Sequence, residues 1–179
     1  MKLRIISGKF GGRYIDANVS SKTHPMGERV RGALFNILGN LEGKIVVDAF
    51  AGTGAIGIEA ISRGADKVMF IERDRIAQKI IKANLQQLNC AGQAEIINTS
   101  VMNWCETREA AEIFDLVIAD PPYHSLQLNS VSRLADYMKS DGLMILSYPG
   151  KESSPQIKGA RLVDNRAYGD GALAFYKKV

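Results

Sequence analysis

The apolar positions of this chain change period along its length. At the start, Leu3-Arg4-Ile5-Ile6 and Arg13-Tyr14-Ile15-Asp16 are short β-prone pieces split by Gly8-Lys9-Phe10-Gly11-Gly12, the pattern of a glycine-turned hairpin. Thr23-His24-Pro25-Met26 reads as a loop. Over residues 27–38, Val30, Leu34, Ile37 and Leu38 share one face at the 3.6-residue period, which predicts a helix stopped by Gly39. Arg29 and Arg31 flank that stripe and are expected to point outward.

From residue 44 the pattern alternates between strands and helices. Ile45-Val46-Val47-Asp48 is a strand, followed by a glycine loop and a helix to about Arg63. Lys67 to Glu72 is a second strand. Asp74 is placed to cap a helix whose Ala77, Ile80, Ile81, Leu85 and Leu88 form the buried face. Ala94 to Asn98 and Phe114 to Ala119 are further strands. A helix with Leu128, Val131, Ala135 and Met138 inward leads to a strand from Gly142 to Tyr148. Arg161 to Tyr168 and Ala172 to Lys178 form an antiparallel pair around Gly169-Asp170-Gly171. Strands separated by helices predict a mostly parallel sheet covered on both faces. Such sheets take ligands at the carboxyl ends of their strands, where the glycine loop, Glu72 and Asp120 all fall.

Composition adds three constraints. With 179 residues, 46% apolar and 23% charged, one folded domain spanning 1–179 is expected. No apolar run reaches membrane-span or signal-peptide length, so a cytoplasmic protein without a membrane partner is expected. Cys90 and Cys105 are too few for a disulfide framework or a zinc site, and read as two reduced thiols with no metal. Charge is uneven: residues 1–31 hold seven Lys/Arg and two acids, and the other 148 residues have a net charge of −1. A basic front of about 1–40 beside a neutral body suggests a polyanionic partner.

Two segments carry candidate chemistry. Asp120-Pro121-Pro122-Tyr123 follows an apolar strand, and its prolines stiffen the backbone between an acid and an aromatic ring. A carboxylate that accepts from an amine, beside a phenol that stacks, suits a flat amine-bearing ring; a plain proline turn is the alternative. Asp48-Ala49-Phe50-Ala51-Gly52-Thr53-Gly54-Ala55-Ile56-Gly57 contains G-x-G-x-x-G. That spacing also fits a dinucleotide fingerprint, with Glu72 on the ribose. Asp48, however, would repel a pyrophosphate at the helix N-terminus and favour a cationic ligand. S-adenosylmethionine, with a sulfonium and an ammonium and no phosphate, fits better.

At these residues the chain resembles the class I S-adenosylmethionine-dependent methyltransferases. The Asp48-to-Gly54 loop together with Asp120-Pro121-Pro122-Tyr123 is similar to those acting on exocyclic amines of adenine or guanine. Arg4 to Arg13, Pro25, Glu28 to Leu38, Tyr168-Gly169-Asp170 and the Ala172 to Tyr176 segment resemble the bacterial 16S ribosomal RNA (guanine-N2-)-methyltransferase family. The likeness spans nearly the whole chain. It departs from the family's usual residues at His24, Met26-Gly27-Glu28, Gly32 and Ser100.

The resemblance implies a Rossmann-like fold with a seven-stranded, mostly parallel sheet, plus the N-terminal hairpin and helix. It implies S-adenosylmethionine held by Asp48, Ala49, Phe50, Ala51, Gly52, Thr53, Gly54, Glu72 and Arg73, with Ser100 and Val101 at the adenine. Asp120, Pro121, Pro122 and Tyr123 would hold the target base. Lys9, Arg13, His24, Arg29 and Arg31 would contact ribosomal RNA, within a partly or fully assembled small subunit, as a monomer. An N6-adenine methyltransferase on DNA or RNA, a dehydrogenase, and a non-catalytic RNA-binding module are the rival readings.

Overall fold

Runs of Val, Ile and Phe favour extended backbone because branched and aromatic side chains fit a pleated, buried surface. In the computed structural model, which describes residues 1–19 and 25–179, those runs become strands. β1 (Lys2–Arg4) and β2 (Tyr14–Asp16) pair as an antiparallel hairpin, and α1 (Glu28–Leu38) follows. Then come β3 (Ile45–Ala49), α2 (Ala55–Ser62), β4 (Lys67–Glu72), α3 (Arg75–Gln87), β5 (Ala94–Asn98), α4 (Val101–Glu106), β6 (Phe114–Ala119), α5 (Leu128–Leu134), β7 (Met138–Pro149), β8 (Ala160–Tyr168) and β9 (Gly171–Lys178).

The seven strands β3 to β9 form one sheet in the order β5-β4-β3-β6-β7-β9-β8. Within this sheet β3 to β7 run parallel, and β9 lies antiparallel to both β7 and β8. The connections after β3 and β4 lead toward one edge, and the chain then returns to lay β6 on the other side of β3. This divergence opens a crevice at the carboxyl ends of β3 and β6.

The sheet separates two apolar layers. Val46, Val68, Phe70, Leu116 and Ile118 face Leu34, Ile58, Ile81 and Leu85 of α1, α2 and α3. Val47, Ile71, Val117 and Leu146 face Trp104, Val131 and Leu134 of α4 and α5. Trp104 is a packing residue, 4.7 Å from the Tyr137 ring centroid and 6.0 Å from that of Phe114. Cys90 and Cys105 are free thiols in these layers, and burial pushes Cys105 up to about 11.

The local signals hold at several ends. Asp74 Oδ1 accepts from the Ile76 and Ala77 N–H groups, and Gly39 closes α1 at φ 70°. Gly57 is fixed by close packing, since a Cβ there would meet Phe70 at 2.2 Å. Two elements differ from the sequence expectation. α4 is an additional short helix, capped by Ser100, whose Oγ accepts from the Asn103 N–H. β7 begins at Met138, where a helix was expected to continue, because Met138 pairs with Phe114 across a register shift.

The N-terminal hairpin is stitched to α2 and α3 by buried side chains. Glu59 accepts from the N–H groups of Ile6 (2.8 Å) and Ser7 (3.1 Å) and from Arg63 Nε (2.8 Å). Ser62 Oγ accepts from the Phe10 N–H and donates to the Ser7 carbonyl. Asn84 both accepts from the Asp16 N–H and donates to its carbonyl.

Candidate active site

The pleat sets the site. Asp48 and Glu72 follow the even positions Val46, Val68 and Phe70, so they share the α1–α3 side of the sheet. After β3 the chain must turn sharply to start α2. Phe50 takes φ 65° to do so, a left-handed conformation costly for a residue with a Cβ. Gly54 follows at φ 75° and its N–H donates to the Ala51 carbonyl at 2.7 Å.

Asp48 is fully buried behind this loop. Its Oδ2 accepts from the Gly57 N–H at 2.8 Å, and its Oδ1 has no partner. Burial lifts its pKa well above the usual carboxylate range, against the Gly57 bond, with the Asp120 and Glu72 charges pushing the same way as burial. The sequence reading put Asp48 at the strand tip beside the loop; in the structure its carboxyl lies wholly beneath that loop. The case against a pyrophosphate becomes stronger. One of the few free donors at the start of α2 is already taken by a carboxylate.

Glu72 is preorganised by the backbone. Its Oε2 accepts from the Gly52 N–H and its Oε1 from the Asp74 N–H, both at 2.8 Å. Each oxygen keeps a lone pair for a further donor. Arg73 is exposed beside it. Ser100 spends its hydroxyl on capping α4, and Val101 is buried in the layer below. Gln78 Nε2 links the Glu72 carbonyl to Asn98 Oδ1 at 2.6 and 2.8 Å. Neither Gln78 nor Asn98 was picked out from sequence; Asn98 sits opposite Glu72 in register at a strand's carboxyl end, and that position was the available signal.

Asp120 follows β6 and lines a cleft with Phe50, Gly52, Thr53, Pro25 and Met26. Burial raises its pKa to about 6, with the Ser147 hydroxyl pulling it back. Pro121 is buried and Pro122 is exposed. Tyr123 leaves 44% of its surface exposed while its Oη lies 2.9 Å from Ser147 Oγ. Ser147 therefore serves both the acid and the phenol. Sequence reasoning passed over it as part of β7, although a lone hydroxyl at the rim of an apolar strand was a readable signal.

The proposed RNA contacts divide. Lys9, Arg13 and Arg29 are exposed. Lys9 Nζ and the Arg13 guanidinium lie 5.5 and 5.7 Å from the Phe10 ring centroid, and Arg13 also donates to the Gln87 carbonyl. Arg31 is not available: it is 1% exposed and donates to the carbonyls of Met26 (3.1 Å) and Arg4 (2.7 Å). The physical reason is its place on α1, one turn before Leu34 and Phe35, which puts it in the buried stripe. His24 lies outside the described residues.

Among the described residues no His, Cys, Asp and Glu cluster is placed to hold a metal, and no helix is long and apolar enough to cross a membrane. A sheet of this order, with a glycine loop and acids at its divergence point, defines the class I methyltransferase fold. The model of the family Conserved hypothetical protein 95 matches residues 3–177, and the chain belongs to that family. It is 36% identical over 148 residues to Ribosomal RNA small subunit methyltransferase D of Haemophilus influenzae, covering 80% of this chain and 77% of that one. It is 30% identical to YlbH of Bacillus subtilis, over 98% of this chain and 99% of that one. The solved structure of yhhF from Escherichia coli superposes with a TM-score of 0.88 at 28% identity, covering 99% of this chain and 98% of that one.

Proposed function

We propose that this protein transfers a methyl group from S-adenosylmethionine to the exocyclic N2 amine of a guanine in small-subunit 16S ribosomal RNA. The observation that carries the chemistry is Asp120, a partly buried carboxyl facing the glycine-loop cleft, with an exposed aromatic ring held beside it. The ribosomal RNA part of the reading is supported by the name of the Haemophilus relative; the guanine rests on the resemblance of the front and tail segments.

The residues fit the cofactor. The free lone pairs of Glu72 and the acid of Asp120 make a negative surround suited to a cation bearing hydroxyls, and Asp48 braces the glycine loop from beneath. Glu72 would accept from the ribose hydroxyls and the loop backbone would lie against the amino-acid end. Bound there, the cofactor supplies an electrophilic methyl carbon on a sulfonium.

Asp120 accepts an N–H from the target amine and aims its nitrogen lone pair into the cleft. That lone pair is delocalised into the base, so positioning and charge stabilisation carry most of the effect. The positive charge that methyl transfer would build on the nitrogen would face the Asp120 carboxylate. The surplus proton leaves the nitrogen to Asp120 or to water. Tyr123 stacks on a base turned out of its RNA context, which is worth about 1–3 kcal/mol. Residues 1–40 act as the RNA-binding extension, with Lys9, Arg13 and Arg29 on phosphates.

The test is mass mapping of ribosomal RNA nucleosides from cells lacking the protein. One N2-methylguanosine in the small subunit should vanish and return with the wild-type gene. A lost N6-methyladenosine would favour the adenine reading, and an unaltered profile would overturn the proposal.

A further inference from the structure

Outside the residues given a task so far, a broad groove opens between α1 and β8. Its walls are Ala33, Asn36 and Ile37 on one side and Arg166 and Tyr168 on the other, and it is a shallow depression, open to solvent, with room of about 510 Å³. That is ample for a nucleotide-sized group.

Register shows where the groove leads. Tyr168 pairs with Gly171 and Arg166 with Leu173, and directly opposed residues of an antiparallel pair project to the same face. Leu173 belongs to the layer under α1, α2 and α3, so Arg166 and Tyr168 project to that side. The Tyr123 hydroxyl is there too, because a Cβ on Gly171 would sit 2.6 Å from it. At its other wall, α1 begins just after Pro25 and Met26, which line the Asp120 cleft. The groove therefore starts beside the base clamp and runs away from it along α1.

Its chemistry is mixed in the manner of a single-strand track. Arg29, Ala33 and Asn36 follow one another along a face of α1 at helical spacing, and Arg29 and Asn36 are exposed. Tyr168 offers an aromatic ring in partial contact with solvent. Arg166 is exposed and engages Asp164 at 2.8 Å. Such surface pairs are weakly held; Arg166 also meets the Tyr168 hydroxyl, and both partners can be exchanged for a phosphate.

A target base that is turned outward must be flanked by nucleotides released from regular pairing. We infer that this groove holds the single-stranded ribosomal RNA adjoining the target nucleotide, an inference that rests on the ribosomal RNA reading above. Tyr168 stacks on a neighbouring base, Asn36 meets base edges, and Arg29 and Arg166 hold phosphates on either side.

The test measures methyl transfer to small ribosomal subunits from cells lacking the protein, together with S-adenosylmethionine binding by calorimetry. Asn36→Glu places a negative charge in the groove and should raise the KM for the subunit about tenfold. Arg166→Ala should raise it less and flatten the log–log salt slope by about 0.7. Tyr168→Ala should raise KM about tenfold while Tyr168→Phe restores it, since the ring and not the hydroxyl stacks. Cofactor affinity should stay at the wild-type value in all four, which separates a groove defect from misfolding. Wild-type KM and salt slope in Asn36→Glu and Arg166→Ala would overturn the inference and leave the proposed activity standing. Photo-crosslinking of the wild-type complex should attach RNA to the 161–177 peptide; attachment to a ribosomal protein instead would also overturn it. A wild-type enzyme that methylates nothing in the subunit would bring down the ribosomal RNA reading and this inference with it.

Discussion

Two buried carboxyls on the same side of the sheet, Asp48 and Glu59, have opposite surroundings. Both are 0% exposed. Glu59 is saturated: two backbone N–H groups of the hairpin and the Arg63 guanidinium occupy it. Asp48 receives one N–H and keeps an oxygen unpartnered, beside Asp120 and Glu72. A saturated buried acid holds a fold together, because removing it strands its donors. An unsaturated one beside other acids costs stability and strands no donor but one when it is removed. The stitched hairpin and the open rim thus divide structure from chemistry within one layer.

The largest test of that division is Asp120→Ala. Methyl transfer should fall by about 10³-fold in kcat while cofactor affinity, read by calorimetry, changes only a few-fold. Equal losses of both would move Asp120 from the target base to the cofactor. Next comes Glu59→Gln, which should cost about 3 kcal/mol in denaturant unfolding, as expected when one member of a buried charged network is removed. Asp48→Asn should leave stability within about 1 kcal/mol of wild type, since an amide oxygen can still accept from Gly57. It should change cofactor binding only a few-fold, because the side chain lies buried beneath the loop and reaches the ligand only through the loop's placement. If the two variants behave alike, saturation does not distinguish the regions.

The pH dependence sharpens the contrast. Asp120 must be ionised to face developing positive charge, so activity should rise with pH along a limb centred near 6. The sign for stability is opposite. A carboxyl whose folded pKa is raised above its unfolded value of about 3.9 favours the folded state at low pH and loses that benefit as pH climbs. Asp120→Asn should therefore add about 1–2 kcal/mol at pH 8 and nothing below about pH 4 in thermal unfolding. The smallest effect concerns the basic front. With Arg31 buried, Lys9, Arg13 and Arg29 remain in that front, and together with Arg166 of the groove they should give a log–log salt slope of RNA binding near −3 at roughly −0.7 per contact. Arg13→Ala should remove one such step, whereas Arg31→Gln should lower stability and leave the slope alone.

Several misreadings share one cause. Arg31 was read by its charge, yet its spacing to Leu34, Phe35 and Leu38 is that of the buried face, and the backbone carbonyls of Arg4 and Met26 make the burial tolerable. Asp48 was read by its position at the strand end, while strand parity turns it beneath the loop. The polar stretch Lys139-Ser140-Asp141 falls between the expected helix and strand, but it lies within β7 as the irregular span between the Phe114–Met138 and Leu116–Leu143 pairs. Phe50 gave no hint of a left-handed turn, because nothing in a phenylalanine favours one.

The alternation of apolar runs with amphipathic helices was enough to determine the strands, their parallel arrangement, the cap at Asp74 and the position of the glycine loop and the Asp120–Tyr123 segment at the strands' carboxyl ends. Those features depend on local backbone preference and on period, both of which are written along the chain. Which acid is satisfied and which is left wanting, which arginine reaches solvent, and how Ser147 comes to join Asp120 with Tyr123 were decided only when distant strands were laid side by side. A hydrogen bond between residues far apart in sequence has no local signature, and burial is a property of the neighbours as much as of the residue.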